Sequence, residues 1–186
     1  MGRLVYAAIA SLDGYVRDAE GSFAWAEPDE EVHAFVNERE RGIGTHLYGR
    51  GMYETMAAWE TEPGLAGVSS VMADYAELWR AADKIVYSTT LADVTTGRTR
   101  LERTFDADAV RRRKAEAGSD LAVAGPSLAA EAFRAHLVDE LQLYVVPVVV
   151  GGGLRALPDG VRFGLESLEA HRFAAGTVFL RYAVRP

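Results

Sequence analysis

The run Leu4-Val5-Tyr6-Ala7-Ala8-Ile9-Ala10 is apolar nearly throughout. That pattern belongs to a strand covered on both faces, and Asp13-Gly14 ends it with a turn. From Pro28 to Arg41 the period changes: acidic residues open the segment, and Val32, Phe35, Val36 and Arg39 recur at helical spacing. Thr45–Gly49 reads as a short strand passing through Gly49-Arg50-Gly51 into a helix that carries Tyr53, Met56 and Ala57. Ser69 to Ala82 places Met72, Tyr75, Leu78, Trp79 and Ala82 on one stripe, with Ser69 or Ser70 as cap. Lys84–Ser88 returns as a strand. Thr89–Ala117 is poorly patterned, save for a helix after Asp106 that ends in Arg111-Arg112-Arg113-Lys114. Asp120–Ala124 predicts a strand, Gly125-Pro126-Ser127 a turn, and Leu128–Leu137 a helix. Glu140–Val150 is a β-branched run in which Pro147 demands an edge, a bulge or a break. Thr177–Val184 alternates as an antiparallel closing strand does. Repeated β-then-α units of this kind predict an α/β fold: a mostly parallel sheet with helices on both faces and one late antiparallel edge.

The chain has 186 residues, enough for one substantial core, and a single domain spanning 1–186 is expected. A net charge of -7 argues against a nucleic-acid partner, so any anion site must be local. The absence of Cys excludes disulfides, thiolate metal sites and a cysteine nucleophile, and fits a reducing compartment. The sequence carries no signal-like segment and no long apolar span, so a cytoplasmic protein without a membrane partner is expected.

Several motifs have two readings. Gly151-Gly152-Gly153 follows a strand but lacks the spacing of a dinucleotide fingerprint and meets Pro158 soon afterwards, so a backbone turn is favoured over a phosphate cradle. Gly49-Arg50 joins a strand end to a helix start and offers free N–H groups beside a guanidinium, a pair able to hold a 2′-phosphate; taken alone the dipeptide is common, and a plain turn with a solvated Arg is the favoured reading. Ser88-Thr89-Thr90 repeats that logic one strand on. Asp29, Glu30 and His33 share the start of a helix and suit proton transfer, although acidic residues there also serve the helix dipole. No histidine has metal-ligand spacing, so no metal is expected. Gly125-Pro126-Ser127 lacks the second Gly of a nucleophile elbow. Arg98, Arg100, Arg103 and the Arg111–Lys114 run are interspersed with acids and read as a solvated surface, with nucleotide-phosphate contact as the minor alternative.

Taken in order, Ser11-Leu12-Asp13-Gly14-Tyr15, Gly21-Ser22 with Trp25, Leu47-Tyr48-Gly49-Arg50 with Tyr53-Glu54, Val86 to Leu91, Val123-Ala124-Gly125, Leu137 to Leu141 and Pro147 to Gly153 resemble the dihydrofolate reductase superfamily. The closer resemblance is to its bacterial branch related to the reductase domain of the bifunctional riboflavin-biosynthesis deaminase-reductase. It implies a three-layer αβα sandwich on a mixed, mostly parallel sheet, with NADPH across the carboxyl ends of the strands. It places Asp13 and Gly14 near the nicotinamide, together with Ala8, which also borders the substrate. Gly49, Arg50, Ser88 and Thr89 fall near the adenine ribose and its 2′-phosphate, and Gly125, Ser127 and Leu128 by the pyrophosphate. Substrate would lie against Ala8, Trp25 and Tyr53, with Asp29, Glu30 and His33 all eligible as the helix group that supports protonation. The family's paired glycines are Ala124-Gly125 here, followed by Pro126. The activity implied is hydride transfer from NADPH to a small pteridine- or pyrimidine-like heterocycle by a protein that forms a homodimer. Reduction of 5-amino-6-(5-phosphoribosylamino)uracil in riboflavin biosynthesis is an alternative that needs a second anion site, for which Gly152-Gly153-Arg155 and Arg98–Arg103 are candidates. A non-catalytic nucleotide- or small-molecule-binding protein is the alternative of another class.

Overall fold

The computed structural model describes residues 1–185. In chain order the elements are β1 (Leu4–Ser11), β2 (Tyr15–Arg17), a 3-10 turn at Ala24–Ala26, α1 (Glu30–Glu40), β3 (Ile43–Gly49), α2 (Arg50–Met56), α3 (Ala58–Thr61), α4 (Pro63–Ala66) and α5 (Ser70–Ala81). Then come β4 (Asp83–Tyr87), β5 (Thr99–Glu102), α6 (Ala107–Glu116), β6 (Asp120–Ala124), α7 (Pro126–Arg134), β7 (Glu140–Val146), β8 (Leu154–Arg155), β9 (Gly164–Arg172) and β10 (Val178–Arg185).

Eight strands form one sheet in the order β5-β4-β3-β6-β1-β7-β10-β9, parallel from β5 through β7, with β10 and β9 antiparallel at one side. Strand alternation then sorts side chains between two helical layers. Leu47 of β3 and Ile85 of β4 join Leu4, Tyr6 and Leu121 against α6 and α7, where Val110, Ala129 and Phe133 are buried. Their neighbours Tyr48 and Val86 face the other way, against Tyr53, Met56 and Trp79 of α2 and α5. On that second face Val32, Phe35 and Val36 of α1 pack on Tyr144, Phe173 and Phe179. Full burial of a ring such as Phe179 contributes about 2–3 kcal/mol, so this triad alone holds α1 firmly to β7 and β10. Arg39 completes the helical stripe by lying 4.5 Å over the Phe35 ring and pairing with Glu169 at 2.7 Å.

The three-layer α/β architecture is the expected one. Ser69 is the N-cap of α5, accepting from Met72 N, and Asp106 caps α6. Pro147 marks a break, as the proline required, because β7 stops at Val146. Three features differ from the sequence pattern. The antiparallel side has two strands, since β9 forms from a segment whose residues are nearly all exposed and so show no apolar alternation. β5 forms within the unpatterned middle section, because backbone pairing with β4 selects it. Lys114 leaves the solvated run: it is buried and donates to the Leu137 carbonyl at 2.6 Å while pairing with Asp139 at 2.6 Å.

Candidate active site

Six parallel strands, β1, β3, β4, β5, β6 and β7, end at one edge of the sheet. From β1 the chain passes over one face through α1 to β3; from β6 it passes over the other face through α7 and crosses β1 to reach β7. Connections that diverge in this way leave a crevice outside the carboxyl ends, the place where open α/β sheets bind ligands.

The crevice floor is built from glycine. Gly49 precedes α2, and a Cβ on it would touch Leu128 of α7; Gly125 precedes α7, and a Cβ on it would stand 3.2 Å from the Met52 Cβ. The starts of α2 and α7 therefore meet across the ends of β3 and β6. Gly125 has φ of 90°, a conformation that side chains resist, and it aims the chain into α7 with Pro126 at the first helical position. Ala124 is accommodated because it is still the last residue of β6, where its backbone is extended. No side chain caps α7, so the N–H groups of Ser127 and Leu128 are left for another acceptor. Ser127 is exposed, whereas the Leu128 side chain is buried beneath Gly49 and has only its backbone to offer.

Arg50 stands next to this floor. Its Nη1 donates to Thr90 Oγ1 at 3.0 Å and its Nε to Glu54 Oε1 at 2.7 Å, with half of the side chain exposed. The Ser88 hydroxyl is occupied by the N–H groups of Thr90 and Leu91, so Ser88 shapes the turn after β4, while Thr89 is exposed. Arg103 fixes the same turn from outside by donating to the carbonyls of Ser88 and Leu91.

Asp13 ties rather than reaches. Its carboxylate accepts from Val150 N and Gly151 N, which joins the end of β1 to the loop after β7, and Ser11 with these amides holds it below the ordinary carboxylate range. Gly14, with φ of 89°, accepts from Ala156 N on the same loop. At Gly153 a Cβ would collide with the Arg17 carbonyl; the triple glycine thus lets β2 and β8 approach closely, in keeping with the turn reading.

The substrate-side residues divide. Asp29 is the N-cap of α1, accepting from Val32 N at 2.8 Å, and Glu30 is exposed one position on. His33 is partly exposed and turns toward α3 and α5, with its ring 5.8 Å from Trp59 and 5.5 Å from Tyr75. Trp25 sits in the 3-10 turn, its indole donating to the Ser22 carbonyl. Ala8 and Tyr53 are not brought together: Ala8 packs on the α7 side of the sheet, and Tyr53 is buried on the opposite side with its hydroxyl among Thr95 and Thr96. The candidate second anion sites are internally paired, Arg98 with Asp83 and Arg155 with Asp159. Thr90 and Met52 are site residues that sequence reasoning underweighted. The four-residue step from Arg50 to Glu54 was the available signal for an organised guanidinium.

With this geometry in view, the family model described as the RibD C-terminal domain matches residues 3–179. The chain belongs to the RibD C-terminal domain family. Within reach of this family assignment, the chain is 25% identical over 187 residues to protein YyaP of Bacillus subtilis strain 168, covering 97% of this chain and 94% of that one. A solved candidate riboflavin biosynthesis protein of Shewanella sp. PV-4 superposes over the whole of both chains with a TM-score of 0.76 at 18% identity. A dihydrofolate reductase of Enterococcus faecalis, solved with NADP(H), superposes over 100% of this chain and 98% of its own with a TM-score of 0.65 at 12% identity. These two structures share the fold of this RibD C-terminal domain.

Proposed function

We propose that this RibD C-terminal domain is an NADPH-dependent reductase that delivers a hydride to a small pyrimidine- or pteridine-like heterocycle. The observation that carries the reading is the pairing, at one crevice, of an uncapped α7 start behind Gly125 with a half-exposed Arg50 braced on Thr90. The donor set fits a phosphorylated dinucleotide: Ser127 and Leu128 N–H groups suit a pyrophosphate, and the Arg50 guanidinium suits a 2′-phosphate, which it grips better than a Lys would. When bound, NADPH supplies the hydride. The chain's own work is positional. Gly49 and Gly125 let a ligand approach the backbone, and Asp13 anchors the loop after β7 to the end of β1. Nothing in the crevice needs to form a covalent intermediate, and the proton that balances the hydride goes to the heteroatom beside the reduced carbon.

Reduction of the ribosylamino-pyrimidine of riboflavin biosynthesis is the narrower form of the same reading. It is supported by the family and by the riboflavin-biosynthesis assignment of the Shewanella protein.

Separate titrations with NADPH and NADH, repeated on Arg50→Ala, test the proposal. NADPH is expected to bind more tightly than NADH, and the variant is expected to lose about tenfold or more of that preference, the scale of a charge-assisted hydrogen bond. Equal binding of the two cofactors, or none, overturns it.

A further inference from the structure

The two outer strands of the main sheet differ. At one side β5 is four residues long. At the other, β9 runs for nine residues and exposes every one of them but Glu169, with Leu165 at 43% and Leu168 at 46%. Outer strands are ordinarily blunted by short length, Pro or Lys. β5 is short; β9 has none of these devices. Among the described residues only β10 pairs with it, and nothing covers the outer row of N–H and C=O groups. Ordering nine residues costs backbone entropy that one ladder with two open faces does little to offset.

The register with β10 fixes which way each β9 side chain points, because directly opposed residues share a face. Glu166, Glu169 and His171 stand opposite Ala183, Arg181 and Phe179 and face the α1 side, where His171 stacks on Phe35 at 5.4 Å and Arg185 holds Glu166. Leu165, Ser167, Ala170 and Arg172 stand opposite Val184, Tyr182, Leu180 and Val178 and face the α7 side. The register shift between Arg181 and Tyr182 makes Leu168 the extra residue and reverses the alternation across it. Only two registers of a second, antiparallel β9 therefore keep both faces matched through the centre of the strand. One sets Glu166 against Glu169, acid against acid. The other sets Glu166 against His171, Leu165 against Arg172 and Ser167 against Ala170, and a twofold axis repeats each contact. Charge favours the second register.

We propose that β9 is the interface with a second copy of this chain: two β9 strands pair antiparallel about a twofold axis between Leu168 and Glu169 and join two eight-stranded sheets into one. Glu166 of each copy meets His171 of the other, and the two Leu168 side chains flank the axis. The occupant is a second copy because β9 itself carries both members of each contact, acid and imidazole, on one face. The proposal is independent of the reductase reading, since β9 lies across the sheet from Arg50.

Sedimentation equilibrium of the whole protein at micromolar concentrations is expected to give twice the chain mass. Glu166→Lys should weaken the association about tenfold, the worth of a lost pairing at each of two symmetric places, and His171→Glu should do the same by setting acid against acid. The double variant Glu166→Lys with His171→Glu, which exchanges the two charges, should recover most of that loss. A second readout needs no variant that weakens packing. Because the chain has no Cys, Leu168→Cys places a single thiol beside the axis and is expected to give a disulfide-linked dimer on mild oxidation. Val68→Cys, at a residue 70% exposed before α5, is not. A monomer at every concentration, which would leave β9 to a strand of some other protein, overturns the proposal. So do a dimer indifferent to the charge reversals, a double variant that recovers nothing, and cross-linking at 68 but not at 168.

Discussion

At the scale of single residues, the site depends on what each polar group is already bonded to. Arg50 was readable as a phosphate ligand, but only the folded chain shows it shared between Thr90 and Glu54. On the proposed reading, the Glu54 carboxylate competes with the 2′-phosphate for the same guanidinium. Glu54→Gln is therefore expected to tighten NADPH by several-fold while changing NADH little, measured by fluorescence titration at low and high salt; tightening of both alike would place Glu54 outside the phosphate site. Asp29 and Tyr53 show the opposite outcome. Both have chemistry that suits a site, yet Asp29 caps its helix and Tyr53 is committed to Thr95 and Thr96. A sequence states which groups a residue carries; it does not state which of them remain free.

At the scale of elements, turns and caps were legible where one residue type is physically required. Gly125 is the clearest case, because the path from β6 into α7 needs φ of 90° there. Gly125→Ala should destabilise the fold by about 2 kcal/mol in urea titration, chiefly from the strained backbone with a tight contact to Met52 added, and should weaken NADPH through a displaced α7 start. Unchanged stability would mean that α7 can begin without that turn. Elements fixed by partners were less legible. β5 has little apolar signal and exists because its backbone pairs with β4, and the exposed β9 is held in the same way by β10. Lys114 looked solvated because its neighbours Arg111–Arg113 are basic; it is drawn inside by the Leu137 carbonyl and Asp139, far away in sequence.

At the scale of the whole molecule, α1 and β3 bury an acid and an imidazole together, Glu40 Oε2 lying 3.5 Å from His46 Nε2. Burial pushes Glu40 up to about 7 from 4.5, so the folded state holds that proton more tightly than the unfolded chain, and this contribution to stability is lost as pH rises toward 7. Burial, with Lys84 nearby, pushes His46 down to about 3 from 6.5, so its contribution is lost as pH falls from 6.5 toward 3. Between the ordinary values of 4.5 and 6.5 the two slopes oppose each other. Glu40→Gln removes one of them, and urea midpoints across that window should then climb more steeply with pH than in the unmodified protein. Parallel profiles would show that the pair does not titrate in this way.

The sequence by itself determined the alternation of strand and helix, the α/β layer plan and the glycine and proline turns, because each follows from local periodicity or from a conformation that few residues can adopt. Only tertiary structure decided which of Asp29, Glu30 and His33 turns toward an aromatic wall, which face receives Ala8 and which receives Tyr53, and whether Lys114 meets water. Those outcomes depend on contacts between segments tens of residues apart, and a buried polar group takes whatever partner the packing brings to it, since being left without one costs more than any local preference returns.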